Sequence, residues 1–237
     1  MMRRVLFGLL CIAMSLQAED VYATFTVEAE KSANLAFTAS GIVKNVTIDI
    51  ASVVKKGDVL AELENDDIKA SLNIATTALS FAKKEYERQK KVEKLVDASR
   101  LDTYAYKYEN AKAQLIYQQA LLEKTILKAP FDGIIFDKLV EVGDVVSGAM
   151  IRTVLKMQST KARKLIVSFD QKYWKVVKVG EVFEYRIDGD TKRYSGKITK
   201  IYPASDSKNR KMRAEVITEG FLVGLFGEGM IKIPDVK

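Results

Sequence analysis

Histidine is absent from the 237-residue chain, cysteine occurs once, at Cys11, and proline only three times. No histidine base, no disulfide and no Cys/His metal site can be built from such a chain. The single cysteine also lies in a stretch that reads as removable. Met1-Met2-Arg3-Arg4 is basic, Val5 to Met14 is apolar, and Ser15-Leu16-Gln17-Ala18 precedes acidic Glu19. That layout predicts a secretory signal peptide over residues 1–18, too short to stand as a transmembrane helix. Its removal takes Arg3, Arg4 and Cys11, leaving 36 basic against 31 acidic residues, a net +5. Leu10, just before Cys11, is too large for lipoprotein processing. No later run approaches about 18 consecutive apolar residues. The mature protein is therefore expected to be exported and soluble, with any membrane association supplied by partners.

What is present is a repeat. Moved by 92 positions, Gly41-Ile42-Val43 falls on Gly133-Ile134-Ile135, Ile48-Asp49-Ile50 on Val140-Glu141-Val142, and Val53-Val54 on Val145-Val146. Continued without a gap, Val59 meets Ile151 and Leu63 meets Leu155. Both copies are rich in β-branched residues and broken by glycine, so each reads as short strands joined by tight turns. The two copies are predicted to be halves of one small pseudo-symmetric β-domain.

Between the halves, residues 66–124 contain neither Gly nor Pro and are rich in Ala, Lys, Glu, Gln and Leu, all helix formers. Asn65-Asp66-Asp67 offers an N-cap and acidic first-turn residues. Ile68, Leu72, Ala75, Leu79, Ala82 and Tyr86 recur at steps of four and three. Leu101, Tyr104, Tyr108, Ala111, Leu115, Gln118, Leu122 and Thr125 do the same on the return. Two such seams predict an antiparallel coiled-coil hairpin. About 30 residues per arm would reach roughly 45 Å. The reversal is expected near Asp97-Ala98-Ser99, with Ser99 capping the second helix. A domain interrupted at its midpoint holds together only if the ends of the insertion meet, and a hairpin satisfies that condition.

From about Lys161 the pattern alternates. Leu165, Val167 and Phe169 share one face, as do Phe183, Tyr185 and Ile187, and Asp188-Gly189-Asp190 is a hairpin turn signal. With 214–217 and 230–233 as further strands, the segment reads as a small antiparallel barrel or sandwich, to which Tyr22–Val27 adds a first strand.

This arrangement resembles the periplasmic adaptor proteins (membrane fusion proteins) of tripartite efflux pumps, especially the resistance-nodulation-division-associated type. Gly41-Ile42-Val43 with Val53-Val54-Lys55-Lys56-Gly57-Asp58-Val59-Leu60-Ala61 is similar to the family's first lipoyl half. Ile126-Leu127-Lys128-Ala129-Pro130-Phe131-Asp132-Gly133-Ile134-Ile135 and Gly143-Asp144-Val145-Val146 are similar to its second. Gly224 to Met230, leading into Ile231-Lys232-Ile233, resembles the last barrel strand. The fold class that follows is mainly β with an inserted long α-helical coiled-coil hairpin: a split lipoyl-like β-domain plus a small antiparallel β-barrel. Its expected layout is a signal peptide (1–18), an N-terminal strand joining the barrel (19–40), lipoyl-like half 1 (41–64), the hairpin (65–125), half 2 (126–158) and the barrel (159–237).

The resemblance implies a non-enzymatic adaptor in the periplasm, associated with the inner membrane through partners. It would link an inner-membrane efflux pump to an outer-membrane channel protein for export of drugs, toxic compounds or ions. A homo-oligomer, hexameric by resemblance, is implied as well. The family's hairpin-tip pattern of Arg, three residues, Leu, six residues, Ser is met by Arg88, Val92 and Ser99, with Val in place of Leu. Those three positions are the implied channel-docking residues. Ala51 stands where the first half usually has Gly, whereas Gly143 keeps it in the second copy. The expected layout ends after the barrel, without the membrane-proximal domain of longer adaptors.

Two alternatives remain open: an adaptor of an ATP-driven exporter or type I secretion system, which often keeps an N-terminal transmembrane helix, and a non-transport envelope scaffold. No cofactor is expected, because the turn where a carrier lysine would sit is replaced by the hairpin. Export and interspersed charges speak against nucleic acid. Lys83-Lys84 and Lys90-Lys91 read as solvated helix faces. Of the tyrosines, Tyr104 and Tyr108 lie on the seam, whereas Tyr106 and Tyr117 lie off it, open to neighbouring subunits. The scattered Met150, Met157, Met212 and Met230 do not make a soft-metal cluster. The glycines at 220, 224, 227 and 229 lack a Gly-Lys-Ser/Thr ending, so turn chemistry accounts for them. No pair of carboxylates suggests catalysis; Asp66-Asp67 reads as helix capping.

Overall fold

The computed structural model describes residues 20–92 and 97–234. The signal-peptide reading of residues 1–18, Cys11 included, lies outside them. Two compact units are present: residues up to Glu30 together with those from Lys161 onward, and Lys31–Thr160. In chain order the first unit opens with β1 (Val21–Ala29). The second unit contains β2 (Ser32–Leu35), β3 (Gly41–Val46), β4 (Val53–Val54), β5 (Val59–Leu63), α1 (Asp66–Lys91), α2 (Ala98–Lys124), β6 (Ile126–Lys128), β7 (Gly133–Lys138), β8 (Val145–Val146) and β9 (Leu155–Gln158). The chain then completes the first unit with β10 (Ala162–Asp170), β11 (Val182–Ile187), β12 (Tyr194–Ile201), β13 (Lys211–Glu219) and β14 (Phe226–Lys232). The 19–40 stretch, expected to join the barrel, thus divides. Its first strand does so, whereas Ser32–Leu35 pairs with Leu155–Gln158 in the second unit.

The first unit is a closed barrel in the order β1-β10-β13-β12-β11-β14. Closure leaves no unpaired sheet edge. The period-2 pattern sends Val21, Ala23, Phe25 and Val27 inward with Leu165, Val167, Phe169, Phe183 and Tyr185. Phe25 meets Phe183 and Tyr185 edge-on at centroid distances of 5.8 and 5.1 Å. Gly220 and Gly224 have positive φ, as turn chemistry requires, but Gly227 and Gly229 lie within β14. A Cβ on Gly229 would come within 2.8 Å of the Phe183 ring, and one on Gly227 within 2.6 Å of Phe25. For those two the turn reading is corrected: they are glycine so that aromatic rings can lie on the strand.

The second unit has two four-stranded sheets, β2-β9-β7-β4 and β6-β5-β3-β8. Each takes strands from both repeat halves, and the 92-residue shift converts one into the other. Val53 pairs with Ile134 and Val54 with Gly133; 92 positions on, Val145 pairs with Ile42 and Val146 with Gly41. Register shifts recur at Val43/Asn45 and Ile135/Asp137. The gapless alignment fails after Val146. Val43 pairs with Leu63, but Ile135 pairs with Met157, so Leu63 corresponds to Met157 rather than Leu155. Two extra residues sit between β8 and β9. Leu60, Leu63, Ile135, Leu155 and Met157 fill the core.

The helices leave after Leu63 and return at Thr125, where the Leu63 amide donates to the Thr125 carbonyl at 2.9 Å. The insertion's ends therefore meet. Asn65 faces Thr125 at the base, and Tyr86 stacks on Tyr108 further out, so the helices run antiparallel. The seam positions named above are buried or half-buried, while most of the intervening ones are exposed. The arms have 26 and 27 residues, about 40 Å rather than 45 Å.

Both cap assignments need correction. The Asn65 side chain makes no capping bond. It is fully buried and donates to Glu62 at 2.9 Å and Thr125 at 3.0 Å. Asp97, not Ser99, caps α2, accepting from the Ser99 amide. Ala98 and Ser99 are already helical, so the reversal lies before them.

Candidate docking site at the hairpin tip

The base of the hairpin is fastened by charge and hydrogen bonds. Lys44 on β3 reaches Asp66 at 2.9 Å, and Lys69 reaches Glu62 at 2.9 Å. The hydrogen bond from Lys69, then that from Asn65, hold the Glu62 carboxyl below its ordinary range. The hydrogen bond from Lys44 does the same for Asp66. A fixed base gives the far end of two long helices a defined position.

Arg88, Val92 and Ser99 all fall at that far end. Arg88 lies in the last turn of α1 with Lys90 and Lys91, where cations suit the negative end of the helix dipole. Its guanidinium is exposed and pairs with Glu85 at 2.6 Å. An exposed pair of this kind is worth at most about 1 kcal/mol, so a partner can displace it. Val92 follows the last helical residue; its amide closes onto the Gln89 carbonyl at 3.1 Å, and the residue is 40% exposed. Ser99 is exposed in the first turn of α2, and its carbonyl accepts from Thr103 at 2.9 Å. These residues place a cation, a partly exposed apolar group and a hydroxyl at the outer end of the hairpin.

Sequence reasoning missed the role of Glu85, although its i,i+3 spacing from Arg88 was available as a signal. It also missed the stack between Tyr86 and Tyr108, with centroids 5.7 Å apart and planes within 4°. That stack ties the two arms together towards the tip. Tyr106 is 72% exposed and Tyr117 is also exposed, whereas the seam residue Tyr104 is half-buried with Lys107 over its ring. Among the described residues no cluster of three or more acidic, His or Cys side chains could hold a metal ion. No helix among them is long and apolar enough to cross a membrane.

Comparison with known proteins places this geometry. A protein of Haemophilus influenzae without an assigned function is 25% identical over 221 residues, covering 89% of this chain and 57% of its own. The cobalt-zinc-cadmium resistance protein CzcB of Cupriavidus metallidurans is 24% identical over 205 residues, covering 79% of this chain and 39% of its own. The chain thus spans about half or less of these relatives' length. A MacA–MexA chimera containing the Pseudomonas aeruginosa MexA α-hairpin domain superimposes with a TM-score of 0.83 at 24% identity, covering 92% of this chain and 82% of the chimera. The membrane fusion protein Spr0693 of Streptococcus pneumoniae gives 0.73 at 15% identity, covering 91% and 100%. Both structures show the same fold. The CzcB-like, barrel-sandwich hybrid domain matches residues 31–154, the unit that carries the repeat and the hairpin. Spanning more than half of the sequence, that match makes this protein a member of the CzcB-like barrel-sandwich hybrid family.

Proposed function

We propose that the protein is a periplasmic adaptor subunit that connects an inner-membrane efflux pump to an outer-membrane channel. One observation carries the reading: a two-copy β-unit is interrupted at its midpoint by a helical hairpin whose base is fastened and whose tip is exposed. Such an element is suited to holding a contact at a distance. On this reading the hybrid unit is lipoyl-like, the helices act as a coiled coil, and copies assemble into a homo-oligomer, hexameric by family resemblance. Arg88, Val92 and Ser99 meet the channel. The protein performs no reaction and needs no cofactor. The relative named for cobalt-zinc-cadmium resistance makes metal cations the first cargo to test among toxic compounds and ions.

The experiment exploits the scarcity of cysteine. Once residues 1–18 and Cys11 are removed, Val92→Cys carries the only thiol. In cells expressing the cognate channel, a thiol-directed crosslinker at this position should capture the channel, while Lys83→Cys should capture little. Equal yields from both positions would overturn the tip assignment.

A further inference from the structure

One end of the barrel carries an exposed apolar group set among cations. The loop between β10 and β11 exposes Trp174 (62%), Val176 (41%) and Val179 (60%). It does so in an ordered segment. Val177 is buried at 3%, the Trp174 amide donates to the Gln171 carbonyl at 3.0 Å, and the Gly180 amide donates to Ile198 at 2.8 Å. The β12–β13 loop lies beside it, since the Gln171 amide donates to the Arg210 carbonyl at 3.0 Å and Trp174, Pro203 and Met212 line one hollow.

Charge on these two loops is predominantly positive: over residues 170–181 and 202–211, six Lys and Arg stand against Asp170, Glu181 and Asp206. Lys175, Lys178, Lys208, Arg210 and Lys211 are exposed and form no ion pair among the described residues. The acids hold the backbone of the same loops in place. The carboxylates of Asp170 and Asp206 accept from the amides of Lys172 and Lys208 at 2.9 Å each, and that of Glu181 accepts from the Lys178 amide at 2.9 Å. A tryptophan and two valines on a cation-rich loop, with Lys175 over the Trp174 ring at 5.2 Å, match the chemistry of a bilayer surface. Indole favours the headgroup level, short apolar groups enter the acyl boundary, and lysines attract anionic headgroups.

The topology places this end within the barrel. Ala23 pairs with Phe169 and Val21 with Ile231, so β1 begins at the barrel end where β10 and β14 finish. Asp20, just before β1, therefore lies at the same end as Trp174. Residues 30 and 161, where the chain leaves the barrel, adjoin the opposite ends of β1 and β10.

We infer that this end of the barrel docks directly on an anionic lipid surface, with Trp174, Val176 and Val179 entering the headgroup region and Lys175, Lys178, Lys208, Arg210 and Lys211 meeting lipid phosphates. This contact is independent of the adaptor reading and adds a lipid partner to it.

Trp174 is the only tryptophan in the chain, so its fluorescence reports on this loop alone. The purified protein is titrated with phosphatidylglycerol/phosphatidylethanolamine vesicles and, separately, with phosphatidylcholine vesicles. The anionic vesicles should shift Trp174 emission to shorter wavelength and protect it from a soluble quencher, and high salt should reverse both effects. Phosphatidylcholine should do neither. The double variant Lys175→Glu/Lys178→Glu should weaken binding by about 30-fold or more from the loss of two surface cations, with its melting temperature retained. Unchanged emission with anionic vesicles overturns the inference and leaves the surface to a protein partner. Vesicle binding without an emission change overturns it equally, because the contact would lie elsewhere.

Discussion

Ala51 and Gly143 occupy the same place in two copies of one turn, with φ of 70° and 93°. The Ala51 amide donates to the Ile135 carbonyl at 2.8 Å, and the Gly143 amide to the Val43 carbonyl at 2.9 Å, each copy reaching across to the other's strand. The left-handed conformation costs a residue with a Cβ about 1–2 kcal/mol, so the first copy carries a strain that the second avoids.

Ala51→Gly should therefore stabilise the protein. Glycine gives back part of the gain through its freer unfolded chain, leaving about 0.5–1 kcal/mol net. Nothing lies within 4 Å of a Cβ built on Gly143, so Gly143→Ala meets only the backbone strain, offset by the same unfolded-chain term, and should cost about 0.5–1 kcal/mol net. Thermal melts of both variants check the pair, and opposite signs are expected.

Replacing residues 66–124 by a short Gly/Ser linker should leave the β-unit folded, because Leu63 and Thr125 are already hydrogen-bonded neighbours. Strand-rich circular dichroism and cooperative melting are expected, with channel crosslinking abolished. Loss of all cooperative unfolding would contradict the independence of the two elements.

At the tip, Arg88→Asp or Val92→Asp should change stability by no more than about 0.5 kcal/mol, as for exposed sites elsewhere. In a docking interface the same change can cost about 2 kcal/mol per subunit, and several subunits docking together multiply the loss through avidity. We expect an unchanged melting temperature, lost channel crosslinking and greater sensitivity to exported toxic compounds. Charge reversal at Lys83 should do far less. Normal efflux by the tip variants at wild-type expression would remove these residues from the docking assignment.

Acid should weaken the barrel through Glu215. Its carboxylate accepts from the Tyr202 hydroxyl at 2.7 Å and pairs with Lys200 at 3.3 Å. The tyrosine hydrogen bond, helped by the lysines, holds its pKa below the ordinary value of 4.5. Above that value the group is ionised in both folded and unfolded chains and its contribution is complete. As pH falls below 4.5 the unfolded chain binds a proton first, and stability drops until the folded carboxyl protonates too. Denaturant melts of wild type and Glu215→Gln between pH 7 and pH 3 should show a smaller acid loss in the variant. Parallel curves would mean that Glu215 contributes nothing to it.

Sequence alone determined the elements that depend on local spacing. Period-2 alternation marked Leu165, Val167 and Phe169 as a buried strand face, and four-three steps marked both helix seams, because burial selects residues at the repeat of the backbone. Arg88, Val92 and Ser99 were not marked by periodicity; only the resemblance to the adaptor family's tip pattern singled them out, and the two helices then place them at the outer end of the hairpin. Pairing across the chain was not legible. Only the tertiary structure decided that the halves exchange strands, that two residues are inserted after Val146, and that Asn65 turns from its helix to Thr125, since each depends on a hydrogen-bond partner distant in sequence. The exposure of Trp174 is of the same kind. A lone tryptophan has no period, and only the closure of the barrel, with the β12–β13 loop brought beside it, left its ring in solvent among lysines.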